Sequence, residues 1–205
     1  MTFEWFIAVA TFATVACFTP GPNNAMLMAS GLNFGFGRSV PHVLGVSLGF
    51  AGMVLAVALG ISAVFTAFPG LYTVLKFVSA AYLLWLAWRI AVSVPKAGDS
   101  EGSRPLTFLE AAAFQWVNPK AWIIALGASA TYVLAGNATV SVVVIAVIFA
   151  LAGLASTTVW AFGGTALRRL LGRPALVRAL NVCLALLLVG SLWPTYVELW
   201  QAILA

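Results

Sequence analysis

The chain has 205 residues, 63% of them hydrophobic and only 7% charged, with a formal net charge of +5. Soluble domains carry about 25% charged residues, so a water-soluble globule is excluded and lipid must solvate most of this surface. The basic residues are scattered over short loops rather than gathered into a patch, which excludes a nucleic-acid-binding surface and leaves a topology signal.

A membrane helix needs about 20 apolar residues. By that rule the chain divides into six segments, roughly 4–30, 41–66, 70–92, 108–133, 139–165 and 175–200. The expected fold class is an all-α integral membrane protein. Glu4 precedes any Lys or Arg, and the first basic residue is Arg38, so a cleaved secretory leader is not expected.

Segment one is interrupted by Thr19, Pro20, Gly21, Pro22, Asn23 and Asn24. Pro20 and Pro22 have no N–H, so the carbonyls of Ala16 and Phe18 lose their usual helical partners. Gly21 permits a sharp change of direction. Backbone left open at membrane depth is tolerated only where protein or a water-filled cavity covers it. The stretch is therefore expected to build a binding site, with Asn23 and Asn24 offering polar side chains at the same depth.

Segment two opens at Pro41 and His42, and its Gly45 and Gly49 form a small-xxx-small pair suited to close helix contact. Segment three ends in Tyr82, Trp85, Trp88 and Arg89, an aromatic and basic edge typical of an interface. Residues 93–107 are polar and rich in Ser, Gly and Pro, and read as a linker between a first repeat (1–92) and a second (108–205). Segment four is interrupted at Val117, Asn118, Pro119 and Lys120. Segment five carries Gly153, Ser156, Thr157, Thr158, Gly163 and Gly164, and segment six carries Asn181.

With six spans, Arg38, then Arg89, Lys96 and Arg104, then Arg168, Arg169, Arg173 and Arg178 all fall on one side. This places the linker in the cytoplasm and both termini outside. Lys76 lies just inside segment three, within reach of the other interface. Each half opens with a segment broken by proline and asparagine, and Pro22 matches Pro119. Three spans per half make the halves run in opposite directions, and paired breaks in an inverted repeat point to a transporter site.

Asn118 suits an N-cap and Pro119 the first helical position. The two inner half-helices would then point their N-termini at one another near the midplane. Their free amides favour a carboxylate, and the freed carbonyls of Ala16, Phe18 and Gln115 favour an ammonium. A zwitterion satisfies both. The candidate binding residues are Pro20, Gly21, Pro22, Asn23, Asn24, Gln115, Asn118, Pro119 and Lys120.

These residues also carry a resemblance. The stretch from Thr19 to Asn24, then Ser30 to Phe36, Leu44 to Phe50, Ala80 to Trp88 and Phe114 to Trp122 occur in order along nearly the whole chain. In them the chain resembles the lysine exporter superfamily, the LysE/RhtB type of amino-acid effluxers. The resemblance implies a multi-pass protein of the bacterial inner membrane, with six spans, that exports small amino acids or related metabolites on an ion gradient. It names no substrate.

Lys120 lies about a dozen residues into segment four, roughly 18 Å along a helix. A charge at that depth is expensive and marks function; the competing reading is a lysine that reaches an interface or pairs with a helix carbonyl. His42 is read either as an interfacial residue or as a proton-coupling group, and Lys120 is the second coupling candidate. Glu110 is expected to be solvated near a cytoplasmic mouth. Asn33 and Asn181 either line an inner vestibule or hydrogen-bond their own helices. The four tryptophans Trp85, Trp88, Trp116 and Trp122 read as interface or packing residues.

No catalytic group, metal-ligand set or cofactor motif is recognised, so no enzyme is expected. The partners expected are a small amino-acid substrate, membrane lipid and a proton or other ion gradient, with homo-oligomerisation left open. The alternatives are a divalent metal-ion exporter, which one histidine and a central lysine serve poorly, and a thiol/disulfide electron carrier, which needs Cys17 and Cys183 to meet. An intramembrane enzyme and a structural scaffold are less favoured still.

Overall fold

The computed structural model describes residues 1–61, 67–93, 104–171, 174–193, 196–197 and 200. All regular structure among them is helical. Helix α1, Phe3–Phe18, starts at Thr2, whose side chain accepts from the Trp5 amide, and stops at Thr19. Helix α2, Pro22–Phe34, follows at an angle of 56° to it. Pro22 takes the first helical position, where its missing N–H removes nothing. Gly35, at φ 82°, turns the chain into α3, Phe36–Ala56. That backbone region favours glycine. A π-type turn, Val57–Ile61, extends α3, and α4 spans Pro69–Ala91.

The second break is tighter. Helix α5, Phe108–Phe114, runs into a 3₁₀ turn, Gln115–Val117, and α6 spans Pro119–Tyr132. A further 3₁₀ turn, Ala135–Asn137, leads to the long α7, Ala138–Leu171, and then α8, Pro174–Gly190. By length and composition, Phe36–Ile61, Thr73–Ala91 and Ala135–Arg169 can each cross a membrane, and the bent pair α1–α2 qualifies together. Helix α8, at 17 residues, falls short of that measure, since it ends at Gly190 rather than near 200. Most of the expected linker, 94–103, lies outside the described residues. So do 62–66, Arg173 and Pro194, and the side chain of Lys76 is likewise outside the description.

The described end of the linker shapes α5. Thr107 accepts from the Glu110 amide while the Glu110 carboxylate accepts from the Thr107 amide, a reciprocal capping box. Arg104 grips the same carboxylate through both terminal nitrogens at 2.6 Å, and that carboxylate raises the guanidinium pKa above its usual value. Glu110 is thus solvated, as expected, but also paired.

Two apolar clusters sit on either side of the breaks. One gathers Val9 and Ala13 of α1, Phe50 and Met53 of α3, Trp122 and Ala125 of α6, and Ile145 and Phe149 of α7. The other gathers Met26 and Leu32 of α2, Leu83 and Leu86 of α4, Phe114 of α5, and Leu184 and Leu188 of α8. Each break therefore sends its two half-helices into different clusters, which holds the polar waist between them. Large apolar side chains such as Ile7, Leu48, Val74, Phe77, Leu151, Phe162 and Leu186 face outward, as a lipid-solvated surface requires.

Lipid tails give apolar side chains no reason to prefer one another, so membrane helices associate where small residues let backbones approach. Helix α7 packs on α1, α2 and α3, and α3 packs on α5. At the α2–α7 crossing, a Cβ on Gly31 would collide with the Ala161 carbonyl, and one on Gly164 with the Met28 carbonyl. At the α3–α5 crossing, Gly45 faces Phe108 and Ala111, and Gly49 faces Ala112. The small pair in segment two is therefore a helix contact, as its spacing predicts.

Candidate functional site

The first break exposes carbonyls that no helix can serve, and side chains from three elements serve them instead. Asn24 Nδ2 donates to Cys17 O at 2.9 Å and Thr19 O at 3.0 Å. From α7, Ser156 Oγ donates to Cys17 O at 2.8 Å. From α6, Lys120 Nζ donates to Thr19 O at 2.5 Å and reaches Pro20 O at 3.4 Å. The carbonyls with side-chain partners are those of Cys17, Thr19 and Pro20, whereas proline's missing N–H had pointed to Ala16 and Phe18. Thr19 itself continues the helical ladder, its N–H and Oγ1 both bonding Val15 O.

The second break satisfies itself. Asn118 Oδ1 accepts from the Lys120 amide, the Ala121 amide bonds Asn118 O, and the Asn118 amide bonds Gln115 O. Asn118 is an N-cap and Pro119 the first helical residue. The Gln115 carbonyl, expected to be free, is thus occupied. The Gln115 side chain pairs with Asn23 through two hydrogen bonds of 2.8 and 3.1 Å and donates a further one to Ala111 O. Gln115 is fully buried, so this amide pair is a tie between the breaks rather than an open contact.

The helix N-termini differ accordingly. The Asn23 and Asn24 amides of α2 have no hydrogen-bond partner among the described residues, which leaves two donors at a positive dipole end. The first amides of α6 are already capped.

A cavity lies between the breaks, with about 40 Å³ open to water centres. One water-sized sphere needs about 10–15 Å³ by that measure, so the space holds about three waters, on the order of 100 Å³ of liquid. Gly21, Asn23, Asn24, Asn118 and Lys120 line it, as do Cys17, Ser47, Ser156 and Thr157. Asn24 and Asn118 are 4% and 1% exposed. Gly21 lies under the lysine: a Cβ there would come within 2.9 Å of Lys120 Cδ. Of the residues picked from the sequence, Pro20 borders a different, apolar groove beside α8. Gln115 stands behind Asn23, and Pro22 and Pro119 start the two half-helices.

Lys120 meets the carbonyl-pairing reading. It pairs with backbone carbonyls, and it does so while lining the cavity. An ammonium has three donors, so one remains uncommitted. Ser47, Ser156 and Thr157 were not singled out as site residues. Ser47 bonds Thr157 at 2.9 Å across the α3–α7 contact. One hydroxyl donates in that bond and the other is left to donate to a carbonyl of its own helix, Val43 O or Leu154 O, while Ser156 serves Cys17 O. In sequence such hydroxyls look like ordinary helix back-bonding; the available signal was their position opposite the proline break.

His42 is buried, 2% exposed, in α3, which begins at Phe36 rather than at Pro41. Neither ring nitrogen has a hydrogen-bond partner among the described residues. It lines a second cavity together with Asn33, Arg89 and Arg104. Asn33 and Asn181 exchange two hydrogen bonds of 3.0 Å, and Asn181 also bonds Ser93 O. Trp116 and Trp122 pack edge to face at 5.9 Å, with Trp122 Nε1 on Trp116 O, while Trp85 and Trp88 are exposed. Cys17 lines the central cavity, whereas Cys183 is exposed on α8, and both are free thiols. Among the described residues no group of three or more His, Cys, Asp or Glu is placed to hold a metal ion.

Comparison with known proteins agrees with this architecture. The family model described as LysE type translocator matches residues 14–191. The cysteine/O-acetylserine efflux protein of Escherichia coli (strain K12) is 36% identical over 191 residues, covering 92% of this chain and 96% of that protein. The proteins of the same description from Shigella sonnei (strain Ss046) and Escherichia coli O139:H28 are 36% and 35% identical over the same coverage. No solved structure matches. The chain belongs to the LysE type translocator family, whose members are transporters rather than enzymes.

Proposed function

We propose that the chain is a secondary-active exporter of a small, zwitterionic amino acid across the bacterial inner membrane, and that the cavity between the breaks is its substrate site. The observation that carries this reading is the meeting of α2's two unpartnered amides with the Lys120 ammonium over one small polar cavity. Amides and ammonium together suit a carboxylate. The Thr19 and Pro20 carbonyls already hold one ammonium, that of Lys120. A substrate ammonium would compete for them and release Lys120 toward the substrate carboxylate. A cavity on the order of 100 Å³ suits a side chain no larger than that of cysteine, with rearrangement needed for anything longer. The relatives' description as cysteine/O-acetylserine efflux proteins supports a small polar amino acid: cysteine fits that size, and O-acetylserine is the longer case that needs the rearrangement.

The fold is read as six spans in two inverted repeats, 1–92 and 108–205, joined by a cytoplasmic linker at 93–107, with both termini periplasmic. The packing of α3 on α7 and of α4 on α8, each a pair of matching segments, supports this. So does the packing of α1 on α7, which corresponds to that of α5 on α3. Export is driven by a proton or other ion gradient, with His42 and Lys120 as the groups that couple to it. A homo-oligomer is compatible with the outward apolar faces. The test is uptake of labelled L-cysteine, L-serine and O-acetyl-L-serine into inverted vesicles, with and without a proton gradient. Gradient-dependent uptake of at least one is expected. Failure on all three, with transport of cadmium instead, would replace this reading with metal export.

A further inference from the structure

We infer that the second cavity, beneath α3 and against the end of α4, is a carboxylate-binding site distinct from the one between the breaks. Three observations carry it. First, the cavity has about 70 Å³ open to water centres, more than the central one. Second, His42 lines it while 2% exposed, and both ring nitrogens lack a partner among the described residues. A buried polar group without a partner is costly, so a ring held this way is set up for something that enters. A neutral imidazole brings one donor and one acceptor whichever nitrogen carries the proton.

Third, the charges around the cavity favour an anion. Arg89, on α4, lines it, and its guanidinium makes no hydrogen bond among the described residues but stacks on Trp85 at 5.0 Å, which leaves the N–H fork open toward them. Arg104 also lines it but is committed to Glu110 of α5 through two bonds. Arg168 of α7 approaches Asn33 O at 3.4 Å on the same side. Among the described residues, the carboxylate beside the cavity, that of Glu110, is therefore already paired. The Asn33 and Asn181 amides satisfy each other and fix the wall rather than the ligand. What remains open is one fork of donors and one imidazole. Together they fit a single carboxylate: a bidentate contact from Arg89 and a hydrogen bond from His42.

In the export reading this site would collect the substrate's carboxylate before it reaches Lys120; the binding itself does not depend on that role. His42 is the sole histidine of the chain, so selective ¹⁵N-histidine labelling gives a single reporter ring. The full-length protein in lipid nanodiscs is titrated at constant pH and ionic strength with propionate, L-serine, propylamine and sodium chloride. Propionate and L-serine should shift the imidazole resonances saturably, while propylamine and chloride leave them in place. Arg89→Gln should weaken the propionate effect by about tenfold or more, and Arg89→Lys should retain part of it. Should Arg89→Gln not fold, Arg89→Lys and the propylamine arm still decide. No saturable shift with either carboxylate, an equal shift with chloride or propylamine, or undiminished binding in Arg89→Gln overturns the inference. A missing shift with vesicle export intact removes this site alone; a normal shift with export absent removes the central-site reading alone.

Discussion

The two breaks share an ingredient list, proline next to asparagine, and use it in opposite ways. The second closes on itself within a 3₁₀ turn: Asn118 caps α6 from both its side chain and its carbonyl. The first leaves a bent gap whose carbonyls depend on Asn24, Ser156 and Lys120. Because Asn118 and local backbone groups close the second break, the side chains of Gln115 and Lys120 remain to serve the first. In the proposed function one break is thus the scaffold and the other the part that opens to a ligand, and donors that complete one half of the chain come from the other half.

The largest consequence of that dependence concerns Lys120. A charged-group hydrogen bond contributes about 1.5–3 kcal/mol, so Lys120→Met should lower kcat/KM for export by about 10- to 100-fold. Lys120→Arg should recover part of the loss. Wild-type transport kinetics in Lys120→Met would break the asymmetry outright. Next comes Asn24→Ala, which leaves the Thr19 carbonyl to Lys120 and the Cys17 carbonyl to Ser156. It should lower thermal stability in detergent by about 1–2 kcal/mol and weaken transport, since buried acceptors lose a partner.

A smaller effect is expected at the scaffold break. Asn118→Ala removes the cap on α6 and should cost about 1 kcal/mol of stability. Its effect on transport should fall below that of Lys120→Met; the reverse order would assign the ligand to the second break. The smallest effect belongs to the tie between them. A double-mutant cycle on Asn23→Ala and Gln115→Ala should show a coupling of about 0.6 kcal/mol, the usual size for an interhelical polar contact in lipid. Zero coupling would mean that the amide pair adds nothing to the tie that Lys120 and packing make between the breaks.

The breaks themselves were legible in the sequence, because Pro20, Gly21 and Pro22 fall within three positions and Pro119 follows a capping asparagine, local signals that a lone proline such as Pro41 does not carry. The Gly45–Gly49 contact was legible for a similar reason, since only a small residue permits that approach. The hydrogen-bond partners were not. Whether Thr19 O is served by Lys120, a residue from the other half of the chain, is set by tertiary packing that no local pattern encodes. His42 was placed too near the surface because Pro41 looked like a helix start. Pro41 in fact lies inside α3, which begins directly after Gly35. The capping box at Thr107 and Glu110 had a readable spacing, yet the polar composition around it suggested only linker.

Cys17 offers the most direct test, because it lines the central cavity and the chain has one other cysteine. With Cys183→Ser as the background, conversion of Cys17 to a mixed disulfide by a small methanethiosulfonate reagent, with release of methanesulfinate, is timed in native membranes. O-acetyl-L-serine should slow the reaction saturably, and propylamine should not. A modification rate that no amino acid carried by the protein alters would contradict a substrate site between the two breaks.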